Sequence, residues 1–307
     1  MSSYFKILRP GINSTFQDLG RFQLQHLGVA PSGCMDKFLF SISNKLVGNK
    51  SSEGALEFAY QGPLLELVGE SASVGVSGKI KFNIIKKNGE LINGESNESF
   101  LIQNGDKIDI LSTIDSAYGY LAVSGGFKLQ KVNGSISTLV RARIGSNDGD
   151  KLKIGEKILL NNINSSFTPK KIKLDLEKDN IIRVIKGLQF NYFSNNSRED
   201  FFSKEYKVTR LTDRMGMRLE GEKLENIVST NIKSEGIIKG SVQIPGDGQP
   251  IILLSDHPTI GGYPKIANII TADYDKLVQK TPGSKIKFKM VDLTIAESAF
   301  RQYVRKF

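Results

Sequence analysis

The sequence predicts a mainly β protein. Its 307 residues include 30 glycines, and short runs of β-branched and aromatic residues recur between turn-forming glycine, proline and asparagine residues. Strands at this close spacing are typical of an antiparallel barrel or sandwich. A chain of this length can bury two hydrophobic cores, so two domains are favoured over one.

The first half of the chain contains most of the predicted strands. The first covers residues 4–8 and ends at Arg9-Pro10-Gly11, and the others follow at 55–60, 64–68, 73–77, 79–85, 98–102, 106–111 and 118–123. Between them, residues Asp36 to Val47 predict an amphipathic helix that stops at Gly48. We expect this helix to pack on a barrel.

Residues 161–171 contain few core-forming side chains and include a proline, which indicates a linker. We therefore predict an N-terminal domain of residues 1–165 and a C-terminal domain of residues 166–307. The second domain is predicted to contain strands at 181–185 and 285–291, a helix capped at Ser197 with Asp200 three residues on, a polar strand and turn at 207–219, and helices near 272–279 and 294–304.

The stretch from Gly240 to Pro264 is crowded with turn formers around one apolar run. Ile251 to Leu254 are four consecutive aliphatic residues, which predict a strand buried on both faces. Polar residues then follow on an irregular segment, and the pair Gly261-Gly262 would let the backbone approach a ligand closely. The same pattern also fits a glycine-rich barrel corner that binds nothing.

A polar loop near the N-terminus carries an acid, a cation and a neutral base. These are Asp18, Arg21 and His26, which follow one another without a helical period. An equally consistent interpretation is a structural ion pair of Asp18 with Arg21 that fixes the loop.

Charge, cysteine and histidine content argue against several functions. The formal charge is +10, but no basic helix, finger or aromatic-interleaved stripe is present, so a solvated basic surface is favoured over a nucleic-acid groove. Cys34 is the only cysteine, which excludes an intramolecular disulfide. His26 and His257 lack a glutamate at ligand spacing, so we expect hydrogen-bonded loop histidines rather than a zinc site. Without a signal peptide or a membrane-spanning apolar run, a cytoplasmic location is expected.

Short motifs along nearly the whole chain carry a family resemblance. Among them are Gln17-Asp-Leu-Gly-Arg21, Pro31-Ser-Gly-x-Met-Asp36, Asp213-Arg-Met-Gly-x-Arg218, Asp247-Gly-Gln-Pro250 and Gly261-Gly-Tyr-Pro264. In this order they resemble the family of the 5-oxoprolinase C subunit, which also includes allophanate hydrolase subunit 2, the antagonist of a sporulation-kinase inhibitor and a biotin-dependent carboxylase domain of urea carboxylase. The resemblance implies two cyclophilin-like β-barrel domains with a few short helices.

The resemblance also implies an activity and partners. A 5-oxoprolinase B subunit, similar to the sporulation-kinase inhibitor, would bind this chain directly, and an A subunit would complete a complex that opens 5-oxo-L-proline to L-glutamate with cleavage of ATP. ATP and Mg²⁺ are the expected cofactors of the complex, whereas no bound metal or biotin is expected in this chain, and neither nucleic acid nor membrane is an expected partner. Two alternatives stay open: a regulatory binding protein without catalytic groups, and a carboxyltransferase-type component of a urea carboxylase or allophanate hydrolase system.

The implied chemistry selects candidate residues. Opening a lactam with ATP needs cations that neutralise developing charge and carboxylates that hold Mg²⁺ or move protons, and no P-loop is present to bind the nucleotide in the usual way. The candidates for catalysis are Asp18, Arg21, Asp213, Arg214 and Arg218. The candidates for substrate binding are His26, Gln243, Asp247, Gln249, Asp256, Thr259, Gly261, Gly262 and Tyr263.

The arginines of the motif at 213–218 predict a specific geometry. In an extended segment, Arg214 and Arg218 would point to the same face and form a fork for an oxyanion or carboxylate. The alternative is an ion-pair cluster without a catalytic role. We expect the loop at 18–26, this segment and the stretch from Gln243 to Tyr263 to converge on one cleft where the domains meet.

Overall fold

The computed structural model describes residues 2–161, 167–174 and 179–307. The chain divides into two compact units: the first contains Met1–Arg21 and Ser32–Asp175, and the second contains Phe22–Pro31 and Leu176–Phe307. The predicted boundary between residues 165 and 166 lies outside the described residues. The segment 22–31 belongs to the second unit, although it interrupts the first unit in sequence.

The first unit contains two antiparallel sheets. Its strands are β1 (Tyr4–Arg9), β2 (Thr15–Gln17), β3 (Ala55–Ala59), β4 (Leu64–Val68), β5 (Ala72–Ser77), β6 (Ile80–Ile85), β7 (Leu91–Gly94), β8 (Glu98–Ile102), β9 (Lys107–Thr113), β10 (Tyr118–Val123) and β11 (Lys157–Leu159). One sheet has the order β11-β1-β4-β9-β6-β7, and the other has the order β2-β3-β10-β5-β8. Apolar side chains from both sheets, including Phe5, Leu67, Phe58 and Val74, share one core.

Helix α1 (Lys37–Leu46) contacts β5 and β10 of the five-stranded sheet. Asp36 caps its first turn, because Oδ1 accepts a hydrogen bond from the N–H of Leu39 at 2.8 Å. The absence of a side chain at Gly75 permits the close packing, since a Cβ there would lie 2.6 Å from the carbonyl oxygen of Ser43. The helix ends before Gly48, which has a φ of 74°. The predicted helix is confirmed.

The second unit is a closed seven-stranded barrel. Its elements are β12 (Ile181–Lys186), α2 (Asn195–Ser203), β13 (Tyr206–Thr212), β14 (Gly216–Glu220), β15 (Glu235–Gly236), β16 (Ser241–Gln243), β17 (Ile251–Leu253), β18 (Ile260–Gly261), β19 (Lys265–Ile269), α3 (Thr271–Val278), β20 (Lys285–Met290) and α4 (Leu293–Val304). The barrel order is β12-β19-β16-β17-β14-β13-β20. Neighbouring strands of the barrel are antiparallel except β12 and β20, which close the barrel as a parallel pair.

The mainly β prediction is confirmed, and the strands predicted at 64–68, 98–102 and 118–123 coincide with β4, β8 and β10. The sequence did not predict β2, β7 and β11, which are three or four residues long. Strands this short contain too few residues to establish the alternation from which a strand is predicted.

Two local predictions in the second unit are wrong. Helix α2 is capped by Ser194 rather than Ser197, because Ser194 Oγ accepts a hydrogen bond from the N–H of Ser197. Arg214 and Arg218 do not share a face, since Arg214 is buried in the turn before β14 and Arg218 is exposed on that strand. The turn interrupts the two-residue period on which the predicted fork depended.

Candidate functional site

The stretch from Gly240 to Lys265 forms one side of the barrel in the second unit. β16 pairs with β17 on one side and with β19 on the other, so Gln243 at the end of β16 lies opposite Lys265 at the start of β19. The segment between β17 and β19 contains β18, which pairs with β15 as a short ribbon. The central residue of the predicted apolar strand, Ile252, is fully buried. The predicted strand is confirmed as β17.

Arg214 and Asp256 form a closed ion pair. Arg214 Nε lies 2.9 Å from Asp256 Oδ2, and Nη2 lies 2.9 Å from Oδ1, so two N–H groups meet the two carboxylate oxygens. Their side chains are only 6% and 8% exposed. The N–H of Asp256 also donates to the carbonyl of Arg214 at 2.8 Å. This pair connects the segment after β17 to the turn before β14, as the ion-pair alternative for Arg214 requires.

His257 follows Asp256 in the sequence, and it is buried. A hydrogen bond within its own loop holds it. Its Nδ1 lies 2.6 Å from the carbonyl oxygen of Pro258, and Nδ1 must donate because a carbonyl oxygen can only accept. Burial lowers the pKa of His257 below the ordinary value of 6.5, against the opposing effect of the Pro258 carbonyl. The neutral imidazole is therefore the favoured form at neutral pH, and His257 is the hydrogen-bonded loop histidine that was expected.

Gln243 has a buried amide nitrogen without a hydrogen-bond partner among the described residues. The residue is 5% exposed, and its Nε2 is enclosed by protein atoms. Gly261 lies directly against this nitrogen, because a Cβ on Gly261 would stand 2.7 Å from Nε2. Leaving a buried polar group unpaired costs about 1–3 kcal/mol. Such a group is a candidate for ligand binding.

Lys265 is a buried cation next to Gln243. Its side chain is 4% exposed, and its Nζ forms an ion pair with Oε1 of Glu235. Glu235 is 36% exposed at its side chain, and Gln189 Nε2 also donates to its Oε1 at 2.9 Å. The ammonium of Lys265 lowers the pKa of Glu235 below its ordinary 4.5, so the carboxylate is ionised at neutral pH.

We refer to Gln189, Glu235, Gln243 and Lys265 as the lysine cluster. Its backbone is tied together, since the N–H of Lys265 donates to Gln189 Oε1 at 3.1 Å and Glu235 lies opposite Gly261 in the ribbon of β15 and β18. Of these four residues, sequence analysis identified only Gln243. Lysine and glutamate are common on surfaces, and the signal that could have identified Lys265 is its place directly before Ile266-Ala267 at the start of a strand that contains three apolar residues.

Three further candidates in the second unit make local turn contacts. Asp213 Oδ1 accepts from the N–H groups of Met215 and Gly216, and Asp247 Oδ1 accepts from the N–H of Gln249. The side chain of Gln249 accepts from the N–H of Gly221 at 2.9 Å and donates to its carbonyl at 3.1 Å. These contacts show how the three side chains shape the backbone, and their predicted roles in catalysis or binding stay predictions.

The other predicted binding residues of the second unit lie on the segment after His257 and on the short insertion at 22–31. Thr259 and Gly262 accept backbone hydrogen bonds from Ile237 and Ile232, respectively. Tyr263 is 41% exposed. His26 is exposed in a single 3-10 turn, and its imidazole makes no hydrogen bond to a described residue, which differs from the loop contact expected for it.

In the first unit, Asp18 and Arg21 contact the same loop, at residues 135–137. The carboxylate of Asp18 accepts from the hydroxyls of Ser135 and Ser137, both at 2.6 Å, and from the N–H groups of Ile136 and Gly20. Arg21 is 1% exposed, and its Nη2 donates to the carbonyl of Ser137. Asp18 is therefore fixed by neutral donors of this loop rather than by Arg21.

A second buried network in the first unit was not predicted. Glu57 is 1% exposed, and its Oε2 accepts from the hydroxyl of Tyr120 and from the N–H of Met35, both at 2.7 Å. The hydroxyl of Tyr120 in turn accepts from the N–H of Asp36 at 2.8 Å. Burial, together with the charge of Glu57, raises the pKa of Tyr120 well above 10.0. This network anchors the start of α1 to β3 and β10.

Within residues 2–161, 167–174 and 179–307, no group of three or more histidine, cysteine, aspartate or glutamate residues is arranged to hold a metal ion. Over the same ranges, no helix is both long enough and apolar enough to cross a bilayer.

Comparison with known proteins identifies the family. Residues 27–290 match the family model described as carboxyltransferase domain, subdomain A and B. The chain is 33% identical to the 5-oxoprolinase C subunit of Haemophilus influenzae, over 94% of this chain and 92% of that protein. It is 30% identical to the 5-oxoprolinase C subunit of Escherichia coli, over 98% of this chain and 96% of that protein.

A solved structure supports the same assignment. The urea amidolyase of K. lactis superposes with a TM-score of 0.87 at 28% identity, and the match covers 99% of this chain but 20% of the urea amidolyase chain. The whole urea amidolyase therefore contains much more than the matched region. The family match, the two bacterial relatives and this superposition agree, and the chain belongs to the carboxyltransferase-domain family of subdomain A and B type.

Proposed function

We propose that this chain is the C subunit of an ATP-dependent 5-oxoprolinase complex, which hydrolyses 5-oxo-L-proline to L-glutamate with cleavage of ATP. The observation that carries the proposal is the extent of the match. Relatives named as the C subunit of 5-oxoprolinase align over 92% and 96% of their own length at 33% and 30% identity. Their designation as one lettered subunit implies that those relatives act with further subunits.

The complex is proposed to contain a 5-oxoprolinase B subunit that binds this chain directly and an A subunit that completes the activity. ATP and Mg²⁺ belong to this complex. The described residues of this chain contain no metal-binding group of acidic side chains, and its sequence has no P-loop. These residues do not fit a Mg²⁺–ATP site of familiar type, so we assign no step through ATP to this chain.

The contribution of this chain is proposed to be binding and orientation of the small-molecule substrate. The second unit offers buried donors for this purpose in Gln243 and Lys265. Arg214 and Asp256 hold the adjoining segment in place through their closed ion pair. A rigid frame around a small number of polar groups is the usual construction of a small-molecule site.

A second candidate function is a carboxyltransferase-type step in a urea carboxylase or allophanate hydrolase system. The superposition on K. lactis urea amidolyase supports it, at 28% identity. A regulatory role without catalysis has no comparable observation in its favour.

Reconstitution tests the proposed function. The chain alone, the chain with the B subunit and the chain with both the A and the B subunits are incubated with ATP, Mg²⁺ and either 5-oxo-L-proline or urea, and release of glutamate and phosphate is measured. We expect glutamate and phosphate only when all three proteins and 5-oxo-L-proline are present. Turnover by the single chain, or phosphate release that depends on urea and not on 5-oxo-L-proline, would contradict the proposal.

A further inference from the structure

We propose that the lysine cluster is a binding site for the carboxylate group of a small molecule, and that the ligand takes the place of Glu235 on Lys265. The inference deepens the proposed function and rests on it for the choice of 5-oxo-L-proline as the first probe. It follows from the unpaired amide nitrogen of Gln243, the unequal exposure of Lys265 and Glu235, and the close approach of Gly261 to that nitrogen.

The available groups define the chemistry of the ligand. Gln243 Nε2 carries two N–H donors and Lys265 Nζ carries three, and the two residues lie opposite each other in neighbouring strands, where side chains share a face. The Nε2 donors have no acceptor among the described residues. A ligand that satisfies both side chains must therefore present acceptor oxygens, and the buried ammonium favours a negative charge on them.

Glu235 indicates which anion fits. It places a carboxylate oxygen against the ammonium, so a carboxylate is already accommodated there. Its side chain is 36% exposed whereas that of Lys265 is 4% exposed, so the cation is deep and its present partner stands at the surface. Glu235 also lies on β15, a strand of only two residues that pairs with another strand of two residues.

Charge balance favours a monocarboxylate over a phosphate. A carboxylate that displaces Glu235 leaves one anion on one buried cation, and Glu235 can turn into water because its side chain already reaches the surface. A phosphate would bring up to two negative charges to a single ammonium. Desolvating the second charge without a partner is strongly unfavourable.

Gly261 keeps the amide of Gln243 available. A Cβ at Gly261 would lie 2.7 Å from Gln243 Nε2 and 3.0 Å from Ile237 Cδ1, so alanine would push the amide out of its position. The chain offers a matched control in the same ribbon. A Cβ at Gly236, on β15, would meet no atom within 4 Å, so Gly236→Ala leaves the cluster untouched.

Ligand binding tests the inference directly, with the isolated chain and with the reconstituted complex. Affinities are measured by ligand-observed NMR and calorimetry for 5-oxo-L-proline, for L-glutamate, and for 2-pyrrolidone, which is the same lactam without the carboxylate. We expect 5-oxo-L-proline to bind at least about tenfold more tightly than 2-pyrrolidone, because the charge-assisted hydrogen bonds are lost with the carboxylate. L-Glutamate also carries the carboxylate, so its binding is compared with that of 5-oxo-L-proline. The molecule that binds more tightly shows whether the site holds the product or the substrate.

Three variants separate a binding role from a structural role. Gly261→Ala should weaken carboxylate binding about tenfold or more, and Gly236→Ala should leave it within about twofold. Glu235→Gln should tighten carboxylate binding, because it removes the internal competitor from Lys265 and leaves the cation without an anion. A residue with a purely structural role gives no reason for tighter binding on substitution.

Some results would overturn the inference, and others would separate it from the proposed function. Equal binding of 2-pyrrolidone and 5-oxo-L-proline, absence of carboxylate binding to both chain and complex, or weaker binding by Glu235→Gln would overturn the inference. If the complex hydrolyses 5-oxo-L-proline while Gly261→Ala keeps the wild-type KM, the inference fails and the proposed function stands. If carboxylates bind with the expected variant effects but the complex shows no hydrolysis, the inference stands and the proposed function fails. Circular dichroism and thermal melting of each variant identify any that is misfolded.

Discussion

Arg214 and Lys265 are two buried cations of the second unit, and they lie in very different surroundings. Arg214 meets Asp256 through two directed hydrogen bonds, and both side chains are almost completely buried. Lys265 meets a carboxylate that is 36% exposed, and the neighbouring amide nitrogen of Gln243 has no partner among the described residues. A pair in which every polar group is satisfied fixes structure, whereas a pair with an exchangeable partner and a spare donor can bind a ligand.

The largest effect is expected at the ion pair of Arg214 and Asp256. Arg214→Met should destabilise the second unit by about 3–5 kcal/mol, because it leaves the carboxylate of Asp256 buried without its cation. Replacing both residues, as Arg214→Met with Asp256→Leu, should cost much less than the single change. Urea unfolding measures both effects, and Arg301→Ala on the exposed surface of α4 is the control. If Arg214→Met has wild-type stability but the complex shows no turnover, Arg214 has a catalytic role and the structural interpretation of its ion pair is wrong.

In the first unit, the carboxylate of Asp18 accepts hydrogen bonds from neutral donors. Asp18→Ala should destabilise the first unit by about 2–4 kcal/mol, because the hydroxyls of Ser135 and Ser137 and two backbone N–H groups lose their acceptor. Asp18→Asn keeps one acceptor oxygen and should lose less. The same unfolding experiment checks the order of the three proteins, with Glu70→Ala as an exposed control. Equal stability of Asp18→Ala and the wild type would show that this loop does not depend on the carboxylate.

At the ion pair of Lys265 and Glu235 we expect a small effect on stability and a large effect on carboxylate binding. Lys265→Met should change the free energy of unfolding by about 1 kcal/mol or less, because Glu235 can be solvated and the buried ammonium is replaced by an apolar chain of similar length. Carboxylate affinity should nevertheless fall by at least about tenfold, since the charged donor is gone. Calorimetry and urea unfolding on the same sample measure the two quantities. A loss of stability as large as that of Arg214→Met would make the two pairs equivalent and remove the distinction.

The smallest expected effect concerns pH. Burial lowers the pKa of His257 below 6.5, so on acidification the unfolded chain takes up a proton on this residue before the folded chain does. The contribution of His257 to stability is therefore fully present above pH 6.5 and is lost as the pH falls through the interval below that value. His257→Gln should flatten the decrease in unfolding midpoint over this interval, whereas His26→Gln, which changes an exposed imidazole, is the control. An unchanged slope in His257→Gln would contradict the assignment.

These sites also mark the limit of what the sequence could predict. Helix α1 and the longer strands were predicted because apolar periodicity, caps and turn residues are properties of neighbouring positions. The prediction that Arg214 and Arg218 share a face was wrong because the hydrogen bonds of Asp213 form a turn before β14. The two-residue period of a strand does not apply across a turn. Lys265 was missed because burial of a lysine depends on strands that meet only in the folded barrel. Gln243 was a candidate because of the family resemblance, but its unpaired amide nitrogen could not be foreseen.

The parallel pairing of β12 with β20 has a consequence for how the protein is made. The two strands are neighbours in the folded barrel, but β12 is its first strand in sequence and β20 its last, so the barrel cannot close until Lys285–Met290 have been synthesised. Contacts between segments so distant in sequence form slowly, because the entropy of closing the intervening loop must be overcome first. Until that moment β12 lacks one of its two neighbours and presents an unpaired edge to other nascent chains. Cells that produce this chain should therefore need protection against aggregation late in its synthesis rather than early.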